Sequence, residues 1–135
     1  MRLCRMVVAL CTLGLLFGLV ASAQQPVVIR IGFTESASGA YASLSQRQAD
    51  GLRLWIADIN AAGGIELSDG TFLVFEAVSY DDESSSNLVT EGYAKLALED
   101  RVDFLVSPYA SGPAAAAAAV ADANGTILIT GGAVS

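Results

Sequence analysis

Short apolar runs alternate with longer amphipathic stretches along most of the chain. The run from Val27 to Phe33 is mostly β-branched and too short for a typical helix, which predicts a buried strand. Three further strands are predicted in the same way, at residues 71–79, 102–106 and 126–129. Apolar residues at three- and four-residue spacing predict the intervening helices, at about 46–60, 88–98 and 113–123.

The order of these elements predicts the fold class. Strands that alternate with helices form a parallel sheet with crossover helices. We therefore expect an α/β fold, an open parallel sheet with helices on both faces. The serine- and glycine-rich segment 35–45 is predicted to be a loop. The alanine run at 114–119 is predicted to be a small-residue helix face that packs close to the sheet.

The first 23 residues have the pattern of a secretory signal. Arg2 and Arg5 precede an apolar run at residues 6–20, and Ala21-Ser22-Ala23 forms a small-residue cleavage site. A membrane-spanning helix needs about 20 apolar residues, which is longer than this run. We predict a signal peptide at 1–23 and a folded part at 24–135, with an uncleaved anchor as the alternative.

Composition excludes several kinds of chemistry. The chain has no histidine, and both cysteines, Cys4 and Cys11, lie in the signal segment. Residues 24–135 therefore cannot form a cysteine nucleophile, a Ser-His-Asp triad, a disulfide or a zinc site. We predict no enzymatic activity, no cofactor and no metal. A net charge of −7 argues against binding to nucleic acid, which requires clustered lysine and arginine.

Candidate binding residues lie in four loops after the predicted strands. The loops are rich in small and hydroxyl residues, and none contains lysine or arginine; they are Glu35–Ser45, Tyr80–Ser86, Ser107–Gly112 and Thr130–Ser135. In open α/β sheets, ligands bind at the carboxyl ends of the strands. Hydroxyls, backbone N–H groups and helix N-termini there can receive a small anion or zwitterion.

Two features of these loops have alternative interpretations. Ser111 precedes Gly112-Pro113 at the predicted start of the third helix, where it serves only as the N-cap or also receives a carboxylate. Asp81-Asp82 is either a metal or phosphoacceptor site or an acidic surface turn. We favour the surface turn, because no lysine follows at a later strand end.

Five segments resemble the amino-terminal part of the type I periplasmic solute-binding proteins, in particular the leucine/isoleucine/valine-binding branch. They are SGAYASL (38–44), ADINAAGGI (57–65), YDD (80–82), VDFLVSPYASG (102–112) and ILITGGAVS (127–135). Their order and spacing match the family. One departure is Ser84-Ser85-Ser86, which replaces the family's S/C-D-P and is expected to affect only a surface turn.

The resemblance implies a two-lobed fold with a ligand cleft, of which this chain would supply part of the first lobe. Ser111 would bind the ligand carboxylate. Gly132, Ala133 and Val134 would offer a backbone carbonyl to an ammonium group and a further N–H to the carboxylate. Leu44 would line the side-chain pocket.

The implied function is that of a periplasmic protein that binds a branched-chain amino acid or a related amide-like solute. Its partner would be the membrane permease of an ABC importer. The alternative is a fragment of a receptor's ligand-sensing ectodomain, which has the same fold and lies at the cell surface or outside the cell. Because the chain ends after the fourth predicted strand, we expect the isolated chain to fold marginally and to bind ligand weakly.

Overall fold

Strands and helices alternate along the part of the chain that the computed structural model describes, residues 25–131 and 133. In chain order the elements are β1 (Val27–Glu35), α1 (Ala42–Ala61), β2 (Ile65–Glu66), β3 (Phe72–Asp81), α2 (Ser86–Leu98), β4 (Phe104–Val106), α3 (Ser111–Asn124) and β5 (Ile127–Ile129). The predicted signal peptide at 1–23 lies outside the described residues. No helix in the described ranges is long and apolar enough to cross a membrane.

The strands form one sheet in the order β2-β3-β1-β4-β5. β1 pairs in parallel with β3, from Val27 opposite Leu73 to Glu35 opposite Asp81, and β1–β4 and β4–β5 are also parallel. The predicted α/β fold is confirmed. The sheet is mixed rather than wholly parallel, however, because the unpredicted strand β2 pairs antiparallel with β3.

A close approach of the backbone explains strand β2. Gly64 has a φ of +92°, and a Cβ there would lie 2.3 Å from the carbonyl oxygen of Leu73. Only glycine lets the chain pass β3 at this distance. The chain therefore leaves α1 directly into a two-residue pairing with β3, which is too short to give a hydrophobic pattern.

Helices α2 and α3 cover one face of the sheet and bury an apolar core. Val89, Tyr93, Leu96 and Leu105 are fully buried there. In α3 the residues on the inner side are alanines, and Ala114, Ala117 and Ala121 are buried. The alanine run therefore does form a small-residue helix face, but its closest neighbour is α2, and its contact with the sheet is chiefly with β5.

Helix α1 covers only part of the opposite face. It packs on β3 and β1, with Ala49 and Ile56 buried. On the same face, Ile127 and Ile129 of β5 remain 60% and 55% exposed. Within the described residues, this face therefore has an apolar area over β4 and β5 that no helix covers.

Side-chain hydrogen bonds attach α1 to the sheet. The Asn60 amide donates to the Phe75 carbonyl at 2.8 Å and accepts from the Phe75 N–H at 2.9 Å. Arg53 donates to the Glu35 carboxylate and, at 3.0 Å, to the Ser79 hydroxyl. The Arg53 hydrogen bond holds the pKa of Glu35 below its usual range.

Helix α1 begins at Ala42, within the segment 35–45 that the sequence predicts to be a loop, so this prediction is wrong for residues 42–45. No side chain caps its start. Instead, the Ser45 hydroxyl accepts a hydrogen bond from the Ser36 N–H at 2.8 Å, and the Ser45 N–H donates to the Tyr41 carbonyl at 2.9 Å. These contacts stabilise a serine-rich first turn whose composition is typical of a loop.

Candidate ligand-binding site

A crevice lies where the chain reverses its direction across the sheet. Helix α1 carries the chain from β1 toward one edge, and α2 carries it back past β1 to β4 on the opposite face. The loops that follow β1 and β4, residues 36–41 and 107–110, therefore leave neighbouring strands in opposite directions. Such a switch point is where open α/β sheets bind ligands.

The two loops are in contact across the crevice. The rings of Tyr41 and Tyr109 have centroids 6.2 Å apart and are tilted by 60°. Gln48, on the second turn of α1, donates to the Ser107 carbonyl at 2.7 Å. Neither contact follows from the sequence pattern, because the partners are distant along the chain.

The end of β4 is held from the other side by Tyr93. Its hydroxyl donates to the Val106 carbonyl. Burial raises the pKa of Tyr93 above its ordinary value, which further favours the protonated phenol that donates this hydrogen bond. The Ser107 N–H donates to the Ile129 carbonyl at 2.9 Å, which extends the pairing of β4 and β5 to the crevice.

An open apolar groove of about 560 Å³ lies beside the crevice on the α1 face. Leu44, the predicted pocket residue, lines it together with Leu52, Trp55 and Tyr109. Trp55 is 41% exposed and packs on Phe75, with ring centroids 5.0 Å apart. Gln48 supplies a polar group at the wall of the groove.

Ser111 lines a separate depression of about 230 Å³ on the α3 face, together with Thr130 and Ala133. The alternation of side chains along β5 places Leu128 and Thr130 in this depression, and Ile129 and Gly131 in the apolar groove. The two concavities therefore lie on opposite sides of one strand end.

The interpretation of Ser111 as the N-cap is wrong. Ala110 occupies the cap position without a side-chain hydrogen bond, and Ser111 is the first residue of α3. Ala110 has a φ of +78° and a ψ of 150°, a conformation that strongly favours glycine. A residue with a side chain is therefore held in a strained conformation beside the candidate site.

The structure places three of the five predicted site residues. Leu44 lies in the groove, and Ser111 and Ala133 lie in the depression. Gly132 and Val134 lie outside the described residues. The roles of all five in ligand binding stay predictions. Tyr41 and Tyr109 join the site, although only their loop positions pointed to them. Gln48, in the predicted first helix, also joins it, and no sequence signal indicated this residue.

The two aspartates of the acidic pair, Asp81 and Asp82, differ in burial. Asp81 is exposed, as a surface turn requires, but the surface-turn interpretation is wrong for Asp82, which is 1% exposed. The Asp82 carboxylate accepts hydrogen bonds from the Thr34 and Ser36 hydroxyls at 2.6 and 2.5 Å. Within the described ranges, no group of three or more acidic, histidine or cysteine side chains is placed to hold a metal ion.

The serines that follow the acidic pair have structural roles, so the expectation that they affect only a surface turn is wrong. The Ser84 hydroxyl donates to the Ser38 carbonyl at 2.7 Å and accepts from the Tyr41 N–H at 3.1 Å. Ser85 is the N-cap of α2, where its side chain accepts from the Leu88 N–H at 3.5 Å.

Comparison with known proteins places this fold in a family. A model of the family described as "Periplasmic binding protein" matches residues 28–135. The chain belongs to this family. Its fold also matches those of solved solute-binding proteins.

One such structure is the branched-chain amino acid transporter substrate-binding protein LivJ from Streptococcus pneumoniae, in complex with isoleucine. It is 34% identical with a TM-score of 0.71, and the match covers 80% of this chain and 30% of LivJ. A solute-binding protein of an ABC transporter from R. palustris, in complex with benzoate, is 30% identical with a TM-score of 0.60, over 76% of this chain and 27% of that protein.

A third structure shows the fold alone. The leucine-binding protein LivK from Thermotoga maritima is 17% identical with a TM-score of 0.65, over 79% of this chain and 28% of LivK. The chain thus spans less than a third of the length of the relatives it matches. These relatives are solute-binding proteins.

Proposed function

We propose that the chain is the ligand-receiving first part of an extracytoplasmic solute-binding protein that serves an ABC importer. The solute is a branched-chain amino acid or a related small carboxylate with an apolar body. The chain has no catalytic role: it would bind the solute in the crevice, and the whole protein would deliver the solute to the permease. The family and the named relatives support the general function of solute binding.

The observation that carries the proposal is the position of Ser111. It begins α3 at the crevice, in a depression that also contains Thr130. The first N–H groups of a helix have no partner within the helix and favour a negative charge. Because the loops of the crevice contain no lysine or arginine, a carboxylate there would be received by N–H groups and hydroxyls rather than by a cation.

The apolar groove supports the choice of an apolar body. Leu44, Leu52 and Tyr109 present mainly hydrocarbon surface on the other side of the β5 end from Ser111, so the solute would extend across this strand end to reach both. The two relatives named above that are at least 30% identical were solved with isoleucine and with benzoate, which both combine a carboxylate with an apolar group. We propose isoleucine and its branched-chain analogues as the first ligands to test.

A titration followed by amide NMR tests the proposal at the weak affinities expected for part of a binding protein. Isoleucine, leucine, valine and benzoate are added to the chain up to concentrations that detect a Kd of about 1 mM or weaker, equivalent to about 4 kcal/mol of binding free energy. We expect shift changes at Ser111, Thr130 and Leu44. Isoleucinamide and benzyl alcohol, which lack the carboxylate, should leave Ser111 unchanged.

A matched pair of variants checks the role of Ser111. Ser111→Ala removes the proposed hydroxyl donor and should weaken isoleucine binding about tenfold. Ser86→Ala removes the hydroxyl of an exposed serine at the start of α2 and should have no effect. No shift change at the crevice with any carboxylate, or equal changes with isoleucinamide, would contradict the proposal.

A further inference from the structure

The turn between β3 and α2 is bonded to the loop between β1 and α1 at several consecutive positions. Asp81 accepts from the Ala37 N–H at 2.9 Å, and Asp82 accepts from the Ser36 hydroxyl at 2.5 Å. Ser84 bonds both the Ser38 carbonyl and the Tyr41 N–H. We call residues 81–84 the clamp and residues 36–41 the clamped loop.

The clamp is itself held by hydrogen bonds within its own turn. Besides the two hydroxyls, the Asp82 carboxylate accepts from the Ser84 N–H at 2.9 Å, and Asp81 accepts from the Glu83 N–H at 2.9 Å. The Asp82 backbone N–H donates to the Glu35 carbonyl at 3.0 Å. A buried carboxylate that is saturated by donors of fixed position is a rigid anchor, because breaking one bond would leave a buried group unsatisfied.

Ser84 contacts the clamped loop closely at Gly39. Gly39 has a φ of +84°, and a Cβ at this position would lie 2.7 Å from the Ser84 hydroxyl oxygen. The serine thus bridges Ser38 and Tyr41 across the glycine. Ser84 itself has a positive φ of 61°, which costs energy for a residue with a side chain.

The clamped loop leads directly to the candidate ligand surface. Tyr41 faces Tyr109, and its carbonyl accepts from the N–H groups of Leu44 at 3.1 Å and Ser45 at 2.9 Å. The first turn of α1, which carries Leu44 to the apolar groove, therefore begins on the residue that Ser84 holds. A displacement of the clamped loop would move both Tyr41 and Leu44.

We infer that the clamp sets the position of the ligand-facing surface, and that Ser84 is a positioning residue for Tyr41 and Leu44. Ser84 acts through the clamped loop and does not itself touch the ligand. The inference rests on the proposed function, because it assigns Tyr41 and Leu44 to the wall of the solute site. It also gives the acidic pair a role that involves no metal.

Hydrogen exchange and nuclear Overhauser effects in the full chain test the clamp without any ligand. Ser84→Ala should speed exchange of the Tyr41 and Leu44 amides about tenfold, since one hydrogen bond contributes about 1 kcal/mol. The amides of Leu96 and Leu105 in the core should change much less. The Overhauser effect between the Tyr41 and Tyr109 rings should weaken.

Three further variants exclude a general loss of stability. Ser84→Gly removes the hydroxyl but relieves the positive φ, so it should loosen the clamped loop as much as Ser84→Ala while costing less stability. Asp82→Asn should also loosen the clamped loop. Ser86→Ala, at an exposed serine two residues away, should match the wild type. Unchanged exchange at Tyr41, or equal acceleration of loop and core amides, would overturn the inference.

Titrations with isoleucine and benzoate complete the test. Ser84→Gly should bind isoleucine or benzoate, whichever the wild type binds, several-fold more weakly than the wild type does. The affinity of Ser86→Ala should change less. Equal affinity of wild type and Ser84→Gly would overturn the positioning role. If the wild type binds neither compound, the proposed function fails, and the exchange measurements still decide whether the clamp exists.

Discussion

The two faces of the sheet are built in different ways. On the α2–α3 face, large apolar side chains such as Tyr93, Leu96 and Leu105 are fully buried. On the α1 face, the apolar packing of the helix is supplemented by polar contacts of Asn60 and Arg53, and apolar residues of β5 remain exposed. The first face resembles the interior of a stable domain, and the second leaves a surface that can receive another molecule.

This difference indicates that one face of the sheet provides most of the stability and that the other face provides the candidate binding surface. Apolar burial is non-directional and stabilises the whole unit, so it suits the closed face. Side-chain hydrogen bonds are directional and require little contact area, so they can hold α1 in place without filling the groove beside it. The candidate site therefore lies beside α1, which is held in a fixed position and does not fill the groove.

The largest expected effect is a contrast between two truncations of aliphatic side chains. Leu105→Ala should lower the free energy of unfolding by about 3 kcal/mol, because it leaves a cavity among fully buried residues. Ile129→Ala, on the open face, should cost below about 1 kcal/mol. Chemical denaturation measures both. Similar losses of unfolding free energy in the two variants would show that the α1 face around β5 is packed as tightly as the core.

A second contrast compares two helical glycines. A Cβ on Gly92 would lie 2.8 Å from the Thr34 methyl carbon, whereas a Cβ on Gly51 would meet nothing within 4 Å. Gly92→Ala should therefore cost about 2 kcal/mol through overpacking. Gly51→Ala should raise stability by up to about 1 kcal/mol through helix propensity. A neutral Gly92→Ala variant would mean that α2 is less tightly packed than we describe.

The polar attachment of α1 should depend on pH. Arg53, with help from Ser79, lowers the pKa of Glu35 in the folded state, although burial opposes the shift. The stabilisation is complete above the pKa of an unfolded glutamate, about 4.3, and is lost as the pH falls through the lower folded pKa.

Glu35→Gln isolates this contribution. The difference in unfolding free energy between wild type and this variant should be largest near neutral pH and should shrink below about pH 4. Glu66→Gln, at an exposed glutamate of β2, serves as the control and should show no such trend. A difference that is constant with pH would show that the ion pair does not hold α1.

The smallest expected effect lies at the crevice itself. Ala110→Gly should raise the free energy of unfolding by about 0.5–1 kcal/mol, because glycine adopts the φ of +78° without strain. Ala115→Gly, at an exposed position within α3, should lower it by about 1 kcal/mol. A destabilising Ala110→Gly would mean that the Ala110 methyl group makes contacts that outweigh its strain.

Sequence reasoning succeeded where a pattern repeats locally. The β-branched run at 27–33 predicted β1, and the three- and four-residue spacing of apolar residues predicted most of α1. Prediction from the sequence failed where a contact with a residue that is distant along the chain determines the local structure. The start of α1 depends on the bond between Ser36 and Ser45, and strand β2 depends on Gly64 passing Leu73.

The candidate site shows the same division. The order of strands and the composition of their loops predicted a binding edge without cations, and the resemblance pointed to Ser111 and Leu44. Composition could not reveal that Tyr41 meets Tyr109 or that Ala110 occupies the cap position. These features depend on how the loops after β1 and β4 come together.

The amino-acid sequence by itself determined the alternation of strands and helices, because the period and the length of each apolar segment are properties of that segment alone. The tertiary structure alone decided which face of the sheet is closed and which of two adjacent aspartates is buried. Asp82 is buried because Thr34 and Ser36 supply donors from a neighbouring strand end, and Asp81 has only backbone N–H partners at the surface. A carboxylate can leave water only where such donors replace its hydration, and only the folded chain brings them together.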